Sequence, residues 1–212
     1  KIREVKELAF LLKPSNFKSL INNKIKKGTF DTEIDIYLND ENSIENFIVR
    51  GSVSDLKLEV IKNIEFNNTK FEFFLDKSDI LIKNIFGSLK NIVIKDGDLK
   101  IDLDKEISLK SNFVTDLVLK ENEITNYKNL FQNFKIAENL ESIKGNLNNN
   151  LSIIFDQTYK VKNYNLNSKG KIVDANFKIN NFVESHFKKT VKEFSLKNTD
   201  IELNFNLNKK DV

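Results

Sequence analysis

The chain has 212 residues, 40% apolar and 31% charged, with a formal net charge of only +3 from 34 basic and 31 acidic side chains. That balance belongs to a folded domain rather than a disordered one, and so small and evenly spread a charge excludes the electrostatic footprint of a nucleic-acid-binding surface. The absence of cysteine excludes disulfides, thiol catalysis and Cys-ligated zinc. The chain also lacks methionine and begins at Lys1, so it is expected to be a piece of a longer protein whose anchor or export signal lies elsewhere. Its longest N-terminal apolar run, Leu8 to Leu12, is too short for a membrane span of about 20 residues and is followed by no small-residue cleavage site.

Residues 1–27 read as an N-terminal helical segment. Val5, Leu8, Leu11 and Leu12 share one helical face, and Pro14 ends that helix. Ser15 is placed to cap a second helix carrying Phe17, Leu20, Ile21 and Ile25, with Gly28 at its C-terminal end. Lys24, Lys26 and Lys27 form the one basic cluster, either a solvated helix end or a contact for anionic headgroups.

From Gly28 the pattern changes to alternation. Each of the six glycines is followed two residues later by an apolar residue, which reads as a tight turn opening a half-buried strand. In 30–38 the residues Phe30, Thr32, Ile34, Ile36 and Leu38 share a face, opposite Asp31, Glu33, Asp35 and Tyr37. Residues 47–61 form a second unit with Leu56, Leu58 and Val60 aligned; Phe71, Phe73 and Leu75 then alternate with Glu72 and Phe74, and Ile80 and Ile82 continue the series. Asp96-Gly97 is the preferred dipeptide of a two-residue hairpin, here joining Ile92–Lys95 to Leu99, Ile101 and Leu103. Asp96, Asp98, Asp102 and Asp104 also raise a calcium loop, but the EF-hand spacing and its bidentate Glu are missing. The longest alternation runs from Ile107 to Leu119, with Leu109, Ser111, Phe113, Thr115 and Leu117 on the same face; at about 3.4 Å per residue it spans roughly 44 Å, which implies a broad sheet.

Ile124, Tyr127, Leu130, Phe131, Phe134 and Ala137 then fit a helix through about residue 140, expected to cap an open sheet edge. Strands are expected again at Leu147–Phe155, Lys160–Asn167, Lys171–Ile179 and Ile201–Leu207, with a short helix near 182–194. The division that follows is 1–27 helical, 28–122 antiparallel sheet, 123–144 helical insertion and 145–212 renewed sheet. The fold class is mainly β with a few helices (α+β).

Catalytic machinery is not visible. His186 is the only histidine, so no two-histidine metal site exists; there is no Gly-x-Ser-x-Gly elbow, Walker loop or Gly-x-Gly-x-x-Gly. The expectation is therefore no enzyme, no catalytic residues, no metal and no cofactor. What remains is the apolar face, rich in the 18 phenylalanines. Those residues fill a closed core, or the face is covered by something else.

Several segments resemble the AsmA-like superfamily, in particular its YhdP branch. These are Gly28-Thr-Phe-x-x-x-Ile-x-Ile36, Phe47-Ile-Val-Arg-Gly-Ser-Val-Ser-Asp-Leu-Lys-Leu58, Ile82-Lys-Asn-Ile-Phe-Gly-Ser-Leu89 with the following Asp96-Gly97, Ile143-Lys-Gly-Asn-Leu147 and Asn167-Ser-Lys-Gly-Lys-Ile172. The resemblance covers roughly residues 15–180; Phe, Ile or Asn often stands where the family has small aliphatic residues. It implies an extended, curved antiparallel sheet forming a half-open apolar groove, with helices covering its ends or edges. It also implies a periplasmic protein anchored to the inner membrane by a segment elsewhere, which moves phospholipids between the inner and outer membranes. Phospholipids and the two membranes are the implied partners, and nucleic acid is not. The groove-lining set is Phe30, Ile34, Ile36, Leu38, Phe71, Phe73, Leu75, Leu99, Ile101, Leu103, Leu109, Phe113, Leu117 and Leu119. The rival readings are a structural or adhesive β domain of a surface protein, with a dry core, and a hydrolase domain, which the lone histidine disfavours.

Overall fold

The alternating segments pair, each with the next, into one antiparallel meander. The computed structural model describes residues 20–61, 64–103, 106–127, 139–156, 160–178 and 193–208. Among them are nine strands: β1 (Ile25–Leu38), β2 (Ile44–Ile61), β3 (Ile64–Leu75), β4 (Asp79–Leu89), β5 (Ile92–Asp102), β6 (Ser108–Lys120), β7 (Leu140–Phe155), β8 (Val161–Lys178) and β9 (Glu193–Asn208). Their order in space is their order in sequence, and among the described residues β1 and β9 are the two edge strands of a single sheet. Two short helical pieces accompany them, a π-helical turn at Leu20–Lys24 and the helix α1 at Glu121–Tyr127.

Connections are tight where they are described. Asn39 Oδ1 accepts the backbone N–H groups of Glu41 and Ser43 at 3.0 and 2.9 Å, so an Asn side chain builds the β1–β2 turn. Asp76 does the same between β3 and β4, accepting from Ser78 N, Ser78 Oγ and Asp79 N at 2.7, 2.8 and 3.0 Å. Between β4 and β5 the turn is Lys90-Asn91, with Lys90 at φ 56° and Leu89 opposite Ile92.

The glycine reading is overturned. All six glycines sit inside strands and none has positive φ. Gly28 is not a helix cap, because β1 already begins at Ile25. Asp96-Gly97 is not a hairpin turn either: Ile92–Asp102 is one strand, and its register shifts between Lys95 and Asp98 with Asp96 at φ 52°. Asp55, Asn68 and Asn84 likewise have positive φ at register shifts in β2, β3 and β4. A left-handed Asx residue serves a β-bulge as well as it serves a turn, so the local signal is ambiguous. Glycine is needed where neighbouring backbone crowds in. A Cβ at Gly170 would overlap the Asn146 carbonyl oxygen, with Leu147 Cα at 2.9 Å.

Other boundaries move as well. Lys160–Asn167 and Lys171–Ile179 belong to the single strand β8, with Gly170 in its interior. The helix in the 120s starts at Glu121, and β7 has begun by Leu140; positions 128–138 lie outside the described residues. The expected helices at 1–19 and 182–192 lie outside them too, whereas Glu193 and Phe194 open β9. Helix α1 caps no sheet edge. It follows β6 in mid-sheet, where buried Ile124 and Leu119 meet Leu89, Ile92, Leu140 and Ile143.

Fully buried apolar side chains are few and gather at one end of the sheet. One cluster holds Ile25, Val53 and Leu56; the α1 cluster is the second; Ile172, Ala175 and Phe177 make the third. All belong to the end where β1, β3, β5, β7 and β9 start. There Phe177 stacks on Phe194 across β8 and β9, with ring centroids 4.5 Å apart.

Candidate functional site

Pairing register shows which side chains share a face, because directly opposed residues in antiparallel strands point the same way. Ile34 opposes Val49, and the row continues through Leu75, Ile80, Ile101, Leu109 and Ile153 to Tyr164. Eight strands thus place an apolar or aromatic residue side by side with no interruption. The next row runs Thr32, Gly51, Phe73, Ile82, Leu99, Ser111, Leu151, Leu166 and Phe205.

All the strand residues singled out from the sequence lie on this one face: Phe30, Ile34, Ile36, Leu38, Phe71, Phe73, Leu75, Leu99, Ile101, Leu109, Phe113, Leu117 and Leu119. Leu103 stands just past β5, its N–H donating to Ser78 O at 2.8 Å. They do not share one environment. Leu117 and Leu119 belong to the buried end, while Ile34, Ile36 and Leu38 are 59%, 58% and 56% exposed. From Val49 to Tyr164 the row through Ile101 and Leu109 is half-buried. Sequence reasoning left out Val49, Ile80, Leu151, Ile153, Tyr164 and Leu166 as lining residues. Their alternation was visible, but their cross-strand neighbours are known only from register.

A polar island interrupts this face between the open row and the buried end. Asn149, opposite Phe113 and Ser168, is buried. Its Nδ2 donates to Phe113 O, Thr115 Oγ1 and Leu147 O at 3.2, 2.9 and 3.1 Å, and Ser168 Oγ donates to its Oδ1 at 2.7 Å. Nearby, Ser111 Oγ donates to Asp98 O at 2.9 Å. The island therefore meets its own hydrogen-bonding needs, as buried polar groups must. Thr69 is the exception, with a buried hydroxyl that has no partner among the described residues.

The opposite face is wet. Lys95 reaches Asp116 at 2.6 Å, Lys100 reaches Asp79 at 2.9 Å, Lys83 reaches Asp98 at 3.0 Å and Lys169 reaches Glu202 at 2.9 Å. Arg50 bonds Glu33 at 3.0 Å and approaches Asp35 at 3.3 Å. These pairs hold the Glu33, Asp116 and Glu202 carboxyls below their ordinary range, chiefly through hydrogen bonds from Arg50, Lys95 and Lys169 respectively. Asp98, Asn112, Asn150, Asn167 and Asn204 form a ladder across five strands, with Asn167 Nδ2 donating to Asn204 Oδ1. Lys24 and Lys26 both reach Glu59, at 3.9 and 3.2 Å, so much of the basic cluster is spent on an internal pair.

Chemically, these ionised groups form neighbouring-strand pairs on an exposed surface. Among the described residues no group of three or more His, Cys, Asp or Glu could hold a metal ion, and no helix is long and apolar enough to cross a membrane. His186 lies outside the described residues. Comparison with protein-family models, curated proteins and solved structures gives no match.

Proposed function

We propose that the apolar face binds phospholipid acyl chains, and that this sheet is one stretch of a half-open, curved groove that passes lipids between the inner and outer membranes across the periplasm. The reading joins the AsmA-like sequence resemblance to one observation: the apolar row from Ile34 to Tyr164, with no second sheet over it among the described residues. Seven spacings of about 4.8 Å make this row roughly 34 Å long over eight strands. A continuous apolar surface of this kind marks an interaction site in a soluble protein. Acyl chains covering ~300 Å² of it contribute about 7 kcal/mol at about 25 cal/mol per Å². The bulges at Asp55, Asn68, Asn84 and Asp96 support curvature, since each bends and twists its strand. The role is binding and passage, which needs many weak contacts and no reacting group.

Native mass spectrometry with lipid extraction tests this on the whole chain. Wild type is expected to carry phospholipid, and Ile34→Glu/Ile36→Glu is expected to lose it. Both side chains are more than half exposed, so the double variant should keep the wild-type circular dichroism and urea midpoint. A folded wild type that stays lipid-free after incubation with phospholipid vesicles overturns the proposal and favours the structural β domain.

A further inference from the structure

The two edge strands among the described residues differ in how they are protected. Edge strands invite pairing, and proteins blunt them with charges and bulges. β1 is blunted in both ways. Asp31, Glu33 and Asp35 alternate along it, and its register slips twice between Ile25 and Thr29. β9 is not. From Thr199 to Asn208 it pairs with β8 in unbroken register, and among the described residues no strand lies on its outer side. Over that stretch the charged residues are Asp200 and Glu202. Asn204 and Asn206 are neutral and exposed, and Leu203 is 40% exposed.

We propose that two copies of this chain pair through β9 in antiparallel fashion about a twofold axis. The register that fits places Asn204 opposite its counterpart in the second copy. Leu203 then faces Phe205 of the second copy on the apolar side, and Glu202 faces Asn206 on the polar side, so no like charges meet. Moving the twofold axis by two residues, a slip of four between the strands, brings Glu202 opposite Glu202 and sets identical carboxylates against each other, which is destabilising across a strand pair. The chosen register also extends the ladder Asn112, Asn150, Asn167 and Asn204 across the interface, with matching amides that both donate and accept. The apolar faces of the copies become continuous. The inference does not depend on lipid binding.

The chain has no cysteine, so a single Asn204→Cys reports the contact directly. Opposed residues in an antiparallel pair have Cα atoms about 4.5–5.5 Å apart, within disulfide reach. Mild oxidation is expected to give a covalent dimer for Asn204→Cys and little for Asp31→Cys on β1. In sedimentation velocity the wild type is expected to run at twice its 24.6 kDa mass. Asn204→Glu and Asn204→Lys are each expected to be monomeric, and a mixture of the two to recover the dimer. Asn204 is exposed, so circular dichroism should show both variants folded. A wild type that stays monomeric at high micromolar concentration overturns the proposal, as does a dimer indifferent to Asn204→Glu or one cross-linked equally well through Asp31→Cys.

Discussion

The crowded glycines give the sharpest test of the sheet. Gly170 lies in β8, between β7 and β9, opposite Leu147 and Ile201. In Gly170→Ala the new methyl overlaps the Asn146 carbonyl oxygen and comes within 2.9 Å of Leu147 Cα and 3.0 Å of Asn146 C. Backbone cannot rotate away as a side chain does, so β7 and β8 must separate by about 1 Å, which stretches a 2.9 Å hydrogen bond beyond use. Overpacking strain of about 1–3 kcal/mol adds to one or two lost ladder bonds at about 0.5–1.5 kcal/mol each. A smaller unfolded-state entropy returns about 0.4–1 kcal/mol. The net loss is about 3 kcal/mol, within a range of about 0.5–5.5 kcal/mol. Gly28→Ala is the control. Its methyl meets a side chain rather than backbone, Leu56 Cδ1 at 3.1 Å, which need give by only a few tenths of an ångström, so its stability should lie within about 1 kcal/mol of wild type. Gly51→Ala should fall between, because the overlapping carbonyl of Asp31 belongs to the edge strand β1, which can shift outward. Urea denaturation followed by far-UV circular dichroism ranks the three. Equal midpoints for Gly170→Ala and Gly28→Ala would refute the close backbone approach and with it the register of β7 on β8.

Three further outcomes follow from the same contacts. Thr69→Val removes a buried hydroxyl without a partner among the described residues and should raise stability by up to about 1–3 kcal/mol in the same urea assay; a loss of that size would mean the hydroxyl is bonded after all. Asn149→Leu takes a buried amide from Ser168, Thr115 and two backbone carbonyls and should cost about 1–3 kcal/mol, with amide exchange quickening in β6 to β8 first. The lowered pKa of Asp116 means that the unfolded chain binds its proton more readily. The carboxyl's contribution to stability is therefore present above the unfolded value of about 3.9 and lost as pH falls through the folded one. Lys95, raised mainly by its hydrogen bond to Asp116, contributes below about pH 10.4 and loses its effect as pH rises through its folded value. Denaturation midpoints against pH should be less steep on both flanks in Asp116→Asn, and an unchanged profile would show that the pair contributes nothing in solution.

Much of the architecture was legible along the chain because strand alternation is a local property. The run from Ile107 to Leu119 became β6, whose ladder with β7 is unbroken through thirteen pairs, and its face assignment held residue by residue. The same was true of Phe71, Phe73 and Leu75 on β3. Turns were misread where local chemistry has two meanings. Asp96-Gly97 is the dipeptide of a hairpin turn, yet a left-handed Asp96 also suits a bulge inside β5; only the position of β6 alongside distinguishes them. Glycines at 51 and 170 looked like strand openers because their reason for being glycine is a carbonyl on another strand, 20 or more residues away in the chain. For the candidate site, composition and alternation supplied an apolar face and most of its members. Tertiary structure decided that Ile34, Val49, Leu75, Ile80, Ile101, Leu109, Ile153 and Tyr164 stand in one row, that the buried clusters crowd the far end, and that Asn149 bonds itself into the space between. Side-chain period belongs to one strand, but register, burial and edge exposure arise only when strands meet.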